Sequence, residues 1–148
     1  MLNLKGQINI MQKIISNTRI KVPFCDLDPM HIVWHGNYLK YVELARSELF
    51  EKINYSYQQM YEDNIVYPIA KMDLKYISSA KLHDVLNVKC ILQEIEPAII
   101  IKYEITNLKT GETLFKASSM QICVDAKTNE TLYYAPEKLR QNFQEESK

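Results

Sequence analysis

Between Tyr38 and Ile53 the apolar residues recur at the period of a helix, and from Ile65 onward they recur at the period of a strand. Tyr38, Val42, Ala45, Leu49 and Ile53 fall at i, i+4, i+7, i+11 and i+15, with Tyr41 and Leu44 widening the stripe. Downstream, Ile65–Ile77, Val85–Ile95, Ala98–Leu108 and Leu114–Val124 read as four strand runs. The Glu96-Pro97 pair and Lys109-Thr110-Gly111-Glu112 supply turns between them, with Gly111 available for a positive φ. Upstream, TRIKVPF (18–24) sets Ile20, Val22 and Phe24 on one face. Pro23 has no amide donor, so this strand lies at an edge or ends there. Ser56 and Gln59 have the spacing of a capping box, which predicts a short second helix through Asp63. Strand, one long helix and a four-strand meander together predict an α+β fold, with a five-stranded antiparallel sheet curled around a single central helix. On this reading residues 1–17 are an N-terminal extension, 18–136 the domain and 137–148 a charged tail with room for a helical turn or more.

A chain of 148 residues is one domain's worth, and it buries roughly two-thirds of its unfolded surface without disulfides or metal. Lys plus Arg and Asp plus Glu balance at 18 each, which argues against a dedicated nucleic-acid binder. No run reaches the roughly 18 apolar residues of a membrane span. The N-terminal segment lacks the basic, apolar, small-residue order of a secretory signal. Cys25, Cys90 and Cys123 are odd in number and form no CxxC pair, which points to free thiols in a reducing, cytoplasmic setting.

Chemistry concentrates between Asp26 and Tyr38, in DLDPMHIVWHGNY, where two carboxylates, two imidazoles, a Gly and an Asn precede the long helix. The first turn of a helix offers unpaired N–H groups and the positive end of its dipole, which can hold the oxyanion of an attacked carbonyl. A carboxylate on the entering loop can deprotonate water or attack directly. Gly36 leaves room for close approach to the backbone, and Asn37 is a suitable N-cap. Plainer roles stand beside these: Asp26 as a turn cap, Asp28 before Pro29 as a turn residue, His35 as a hydrogen-bonded core histidine and Trp34 as packing. A metal set of Asp28, His31 and His35 would need residues 28–35 to be helical, which the β-branched Ile32 and Val33 disfavour; no metal is assigned.

The string DLDPMHIVWHGNYLKYVELARSE resembles the signature of the 4-hydroxybenzoyl-CoA thioesterase family of hotdog-fold proteins, roughly D-x-D-x-x-G-h-V-x-[HY]-x-N-Y-h-x-h-h-E-x-A-R. LKYISSAKLHD (74–84) is similar to the family's second landmark, a strand followed by P-A-R-x-x-D. The likeness spans about Arg19 to Pro136. It implies a hotdog fold and an acyl thioester substrate, with Asp28 as nucleophile or general base. It also implies that the helix begun at His35 polarises the thioester carbonyl through a backbone N–H. Asn37 and Tyr38 match the N-Y of the pattern, and Glu43 and Arg46 match its E-x-A-R, read as structural or dimer contacts. The resemblance further implies homodimers, often paired into homotetramers, with the acyl group at the subunit interface. Two departures stand out. His31 occupies a position that is commonly Gly, which implies a less tightly turned loop, and Ser79 and Lys81 replace the Pro and Arg of the landmark. Lys81 is the candidate for the phosphates of coenzyme A, as against a solvated lysine at a strand end.

Acyl-CoA hydrolysis is the leading expectation, with catalytic Asp28 and His35, substrate-binding Gly36, Asn37, Tyr38 and Lys81, and no cofactor beyond the coenzyme A of the substrate. Alternatives are a thioesterase acting on acyl carrier protein, which Lys71, Lys75, Lys81 and Lys89 would greet, a hotdog enoyl-thioester hydratase or dehydratase, and a non-catalytic acyl-thioester binder.

Overall fold

A computed structural model describes residues 13–147. In chain order it contains β1 (Ile14–Lys21), a 3-10 turn (Phe24–Asp26), α1 (Asn37–Lys52), α2 (Tyr57–Glu62), β2 (Ile65–Val66), β3 (Ile69–Tyr76), β4 (Val85–Glu94), β5 (Ala98–Asn107), β6 (Thr113–Asp125), β7 (Thr131–Leu132) and α3 (Glu137–Glu146). All strands belong to one antiparallel sheet ordered β1-β4-β5-β6-β2, with β3 and β7 also paired to β6.

The sheet turns alternate residues inward, as period two requires. Leu86, Val88, Cys90 and Leu92 of β4 and Ile101 and Ile105 of β5 are fully buried. Helix α1 covers β1 and β4 with Tyr38, Tyr41, Val42, Ala45, Leu49 and Phe50, all buried. This is the stripe read from the sequence with three changes. Leu44 is 52% exposed, whereas Phe50 is fully buried and Arg46 is 3% exposed. The arginine tolerates burial because Glu43 pairs with it and the hydroxyls of Tyr57 and Tyr103 accept from it at 2.8 and 3.4 Å. Helix α2 starts as predicted, with the Gln59 amide donating to Ser56 Oγ at 3.2 Å. In the β5–β6 turn Gly111 has φ 75°, and the Asn107 side chain accepts from the amides of Lys109 and Thr110.

The sheet has seven strands where five were expected. Pro68 cannot continue a ladder, and it splits the Ile65–Ile77 run into β2 and β3. Past the Asp125–Asn129 turn the chain folds back to pair Leu132 with Cys123 as the two-residue β7. Strand β1 opens at Ile14, four residues before its expected start, and ends at Lys21, two residues before Pro23. It lies at a sheet edge. Phe24 leaves the strand face and is 75% exposed. The rest of the expected N-terminal extension, residues 1–12, lies outside the described residues. The charged tail forms α3, which buries Leu139 and packs Phe143 against the core. Among the described residues no helix is long and apolar enough to cross a membrane.

Candidate active site

The loop from Val22 to Gly36 is folded by its own polar side chains. Asp28 begins an Asx turn: its Oδ1 accepts from the Met30 amide at 2.8 Å and, at the limit of reach, from the Ile32 amide at 3.5 Å. Its main chain closes the same turn, with Asp28 N–H donating to Ile32 O and His31 N–H to Asp28 O. The turn requires a left-handed residue at position 31, and His31 takes it with φ 63°. The absence of Gly therefore does not loosen the loop; the imidazole-bearing residue adopts the backbone that Gly adopts freely. Among the described residues Asp28 Oδ2 has no hydrogen-bond partner, so one carboxylate oxygen is held and the other is available.

Asp26 ties this loop to α1. Its backbone carbonyl accepts from the Trp34 amide and from Asn37 Nδ2, both at 2.9 Å. Its buried carboxylate accepts from Lys40 and, at 2.6 Å, from the Tyr41 hydroxyl. Burial pushes the Asp26 carboxyl up, but the hydrogen bonds from Lys40 and Tyr41 and the Lys40 charge outweigh it, leaving the group below its ordinary value. The same contacts displace the expected cap. Gly36 is the N-cap residue of α1, and Asn37 is its first helical residue, with a side chain that donates to Asp26.

Asp28, His35 and Tyr38 line one cavity of about 260 Å³, together with Met30, Tyr76 and Ile77. Gly36, Asn37 and Lys81 are not among its walls. Gly36 sits beneath the Trp34 indole, where an added Cβ would lie 2.2 Å from a ring carbon, so the space expected for a substrate is taken by tryptophan. Because that indole is 48% exposed and can swing aside, Gly36→Ala is expected to cost less than about 1 kcal/mol. A Trp34→Ala background should remove most of that cost in thermal melts. Lys81 lies beside the site rather than in it. It pairs with Ile32 in an isolated bridge, and its amide donates to Asp84 Oδ2 at 2.9 Å. A larger hollow of about 410 Å³ lies across β3, β5 and β6 and contains none of these residues. Among the described residues Asp28, His31 and His35 do not gather into a metal-ligand cluster.

At the helix entrance the Asn37 amide donates to Trp34 O at 2.8 Å, whereas the amides of His35 and Gly36 have no protein acceptor among the described residues. The site thus joins a half-tethered carboxylate to unpaired N–H donors at a helix start. Tyr76 is the wall residue that a reading of the sequence passes over. It falls inside the quoted LKYISSAKLHD landmark, but nothing in its local pattern shows that its hydroxyl reaches His35, 41 positions earlier.

A curved antiparallel sheet around one helix, with a carboxylate loop at the helix start, is the hotdog arrangement of thioester hydrolases. The chain belongs to the thioesterase-like superfamily, whose family profile matches residues 22–144. It is 29% identical to the acyl-CoA thioesterase YbgC of Haemophilus influenzae over 107 residues, covering 72% of this chain and 78% of that protein. Its fold superposes on a DHNA-CoA thioesterase from Staphylococcus aureus with a TM-score of 0.80, at 27% identity over 89% of this chain and 90% of that one. A 1,4-dihydroxy-2-naphthoyl-CoA thioesterase from Synechocystis shares the fold at a TM-score of 0.80 and 15% identity, over 88% of this chain and 96% of that one.

Proposed function

We propose that this protein hydrolyses acyl-CoA thioesters in the cavity walled by Asp28, His35 and Tyr38. The observation that carries this reading is the pairing, across about 260 Å³, of a carboxylate with one untethered oxygen and, at the helix entrance, the unpaired amide of His35. Asp28 acts as general base on water or as nucleophile on the thioester carbonyl. As the carbonyl oxygen gains charge, the His35 amide stabilises it, and the helix dipole has the same sign. On the base route the proton that Asp28 takes from water passes to the departing coenzyme A thiolate, giving the free thiol and the acid. On the nucleophile route the thiolate departs from a mixed anhydride on Asp28, which water hydrolyses to the acid and the free carboxylate, supplying the proton of the thiol. Lys81, at the rim beside Ile32, meets the phosphates as a point charge.

The functional unit in this reading is a homodimer, with pairs of dimers forming a tetramer. Its support is β3, an edge strand whose flank exposes Ile69, Leu74, Tyr76 and Ile77 at 39–46%. Such an uncovered edge, its apolar residues interspersed with Lys71, Asp73 and Lys75, leaves backbone groups free to pair with another strand. Sedimentation equilibrium is expected to give two or four times the 17.4 kDa chain mass; a monomer at all concentrations would remove this part.

Colorimetric thiol release from short-chain, long-chain and aromatic acyl-CoAs tests the activity. Hydrolysis of at least one is expected. No release from any of them, with release from acyl carrier protein, would replace coenzyme A by the carrier. Silence on both would overturn the reading.

A further inference from the structure

The hydroxyl of Tyr76 donates to the backbone carbonyl of His35 at 2.9 Å. We propose that Tyr76 is a positioning residue for the oxyanion donor, holding the His35 carbonyl so that the unpaired His35 amide keeps its aim; this rests on the hydrolase reading above.

A trans peptide is planar, and its C=O and N–H point in opposite directions. Anchoring the His35 carbonyl toward Tyr76, a wall of the cavity, therefore turns the Gly36 N–H away from it, in keeping with the absence of Gly36 from the walls. What it restricts is rotation about His35, which lines the cavity and whose own N–H is unpaired among the described residues. Tyr76 is itself held from two sides. Its ring stands edge-on to Tyr38 with centroids 5.5 Å apart, and lies 5.2 Å from the Phe115 ring. Tyr38 is fixed in turn by stacking on Phe115 and by accepting the Ala80 amide at 3.0 Å. Strand β3 thus reaches across the cavity to the helix entrance through one hydroxyl, and the Tyr76 side chain walls the same cavity as Asp28.

A purely structural role predicts only a small loss of stability. The positioning role predicts a change in the chemical step. Tyr76→Phe keeps the ring and removes the hydroxyl. Its kcat is expected to fall about tenfold, with KM within about twofold and the melting temperature nearly unchanged. The second readout is the carbonyl stretch of a bound acyl-CoA analogue with methylene in place of the thioester sulfur. Wild-type protein should shift this band to lower frequency, and Tyr76→Phe should reverse part of the shift. An unchanged kcat and an unchanged band in Tyr76→Phe would overturn the proposal, provided wild type is active. Wild-type protein inactive on all acyl-CoAs would instead point to failure of the hydrolase reading.

Discussion

Asp28→Asn is expected to lower turnover about 10²–10⁴-fold while leaving KM and the fold nearly unchanged. The substitution is almost isosteric. The amide oxygen of Asn can still accept the Met30 N–H, so the Asx turn at 28–32 and the left-handed His31 need not shift. What disappears is the second carboxylate oxygen, the group with no other partner among the described residues. An amide can neither accept a proton from water at neutral pH nor attack a thioester usefully. Steady-state thiol release on the best acyl-CoA, beside melting curves of both proteins, checks this. A variant with wild-type kcat would show that Asp28 is only a turn residue.

The largest expected loss of stability comes from Asp26→Ala, about 2–3 kcal/mol at neutral pH. Removing the carboxylate leaves the buried Tyr41 hydroxyl without its acceptor at 2.6 Å. Lys40 loses its partner too, but its side chain is 48% exposed and rehydrates, which keeps the cost below that of a fully buried pair. For a chain of this size the loss corresponds to roughly 4–12 °C in Tm. The pH dependence has a definite sign. Because the folded Asp26 carboxyl lies below its ordinary value of 3.8, its charged form stabilises the native state above that value and ceases to do so as pH falls through the lower folded value. The gap between wild type and variant in urea unfolding should therefore be widest near neutrality and shrink in acid. Equal stability at neutral pH would refute the account.

The long helix and the main strand runs were legible because each repeats its period over ten residues or more. The extra strands were not, because β2 and β7 are two residues long and two residues have no period. Arg46 was buried against its residue type, since hydroxyls that meet it come from Tyr57 and Tyr103, at other points of the chain. At the site, the resemblance drew attention to Asp28 and His35, and both wall the same cavity. Asn37 and Gly36 were read by type, as a cap and as open space, whereas their partners are Asp26 and Trp34. His31 shows the limit from the other side. Conformation is a property of the turn, and a residue can occupy a backbone region that its type disfavours when the surrounding hydrogen bonds require it.

The knot at Asp26 divides labour within the molecule. Its carbonyl and carboxylate hold Trp34, Asn37, Lys40 and Tyr41. The acid-bearing loop and the first turn of α1 are consequently one rigid cassette rather than two neighbouring segments. Of the far wall, at the β3 end of the sheet, Tyr76 is tied to that cassette through the His35 carbonyl, whereas Ile77 is hydrogen-bonded to Leu114 and is separate from it. Ile77 can be exchanged to reshape the acyl space without resetting the spacing between base and amide. Selectivity and reactivity are therefore separately adjustable, and an engineer wishing to change the substrate should begin at Ile77 and leave the loop and Tyr76 alone.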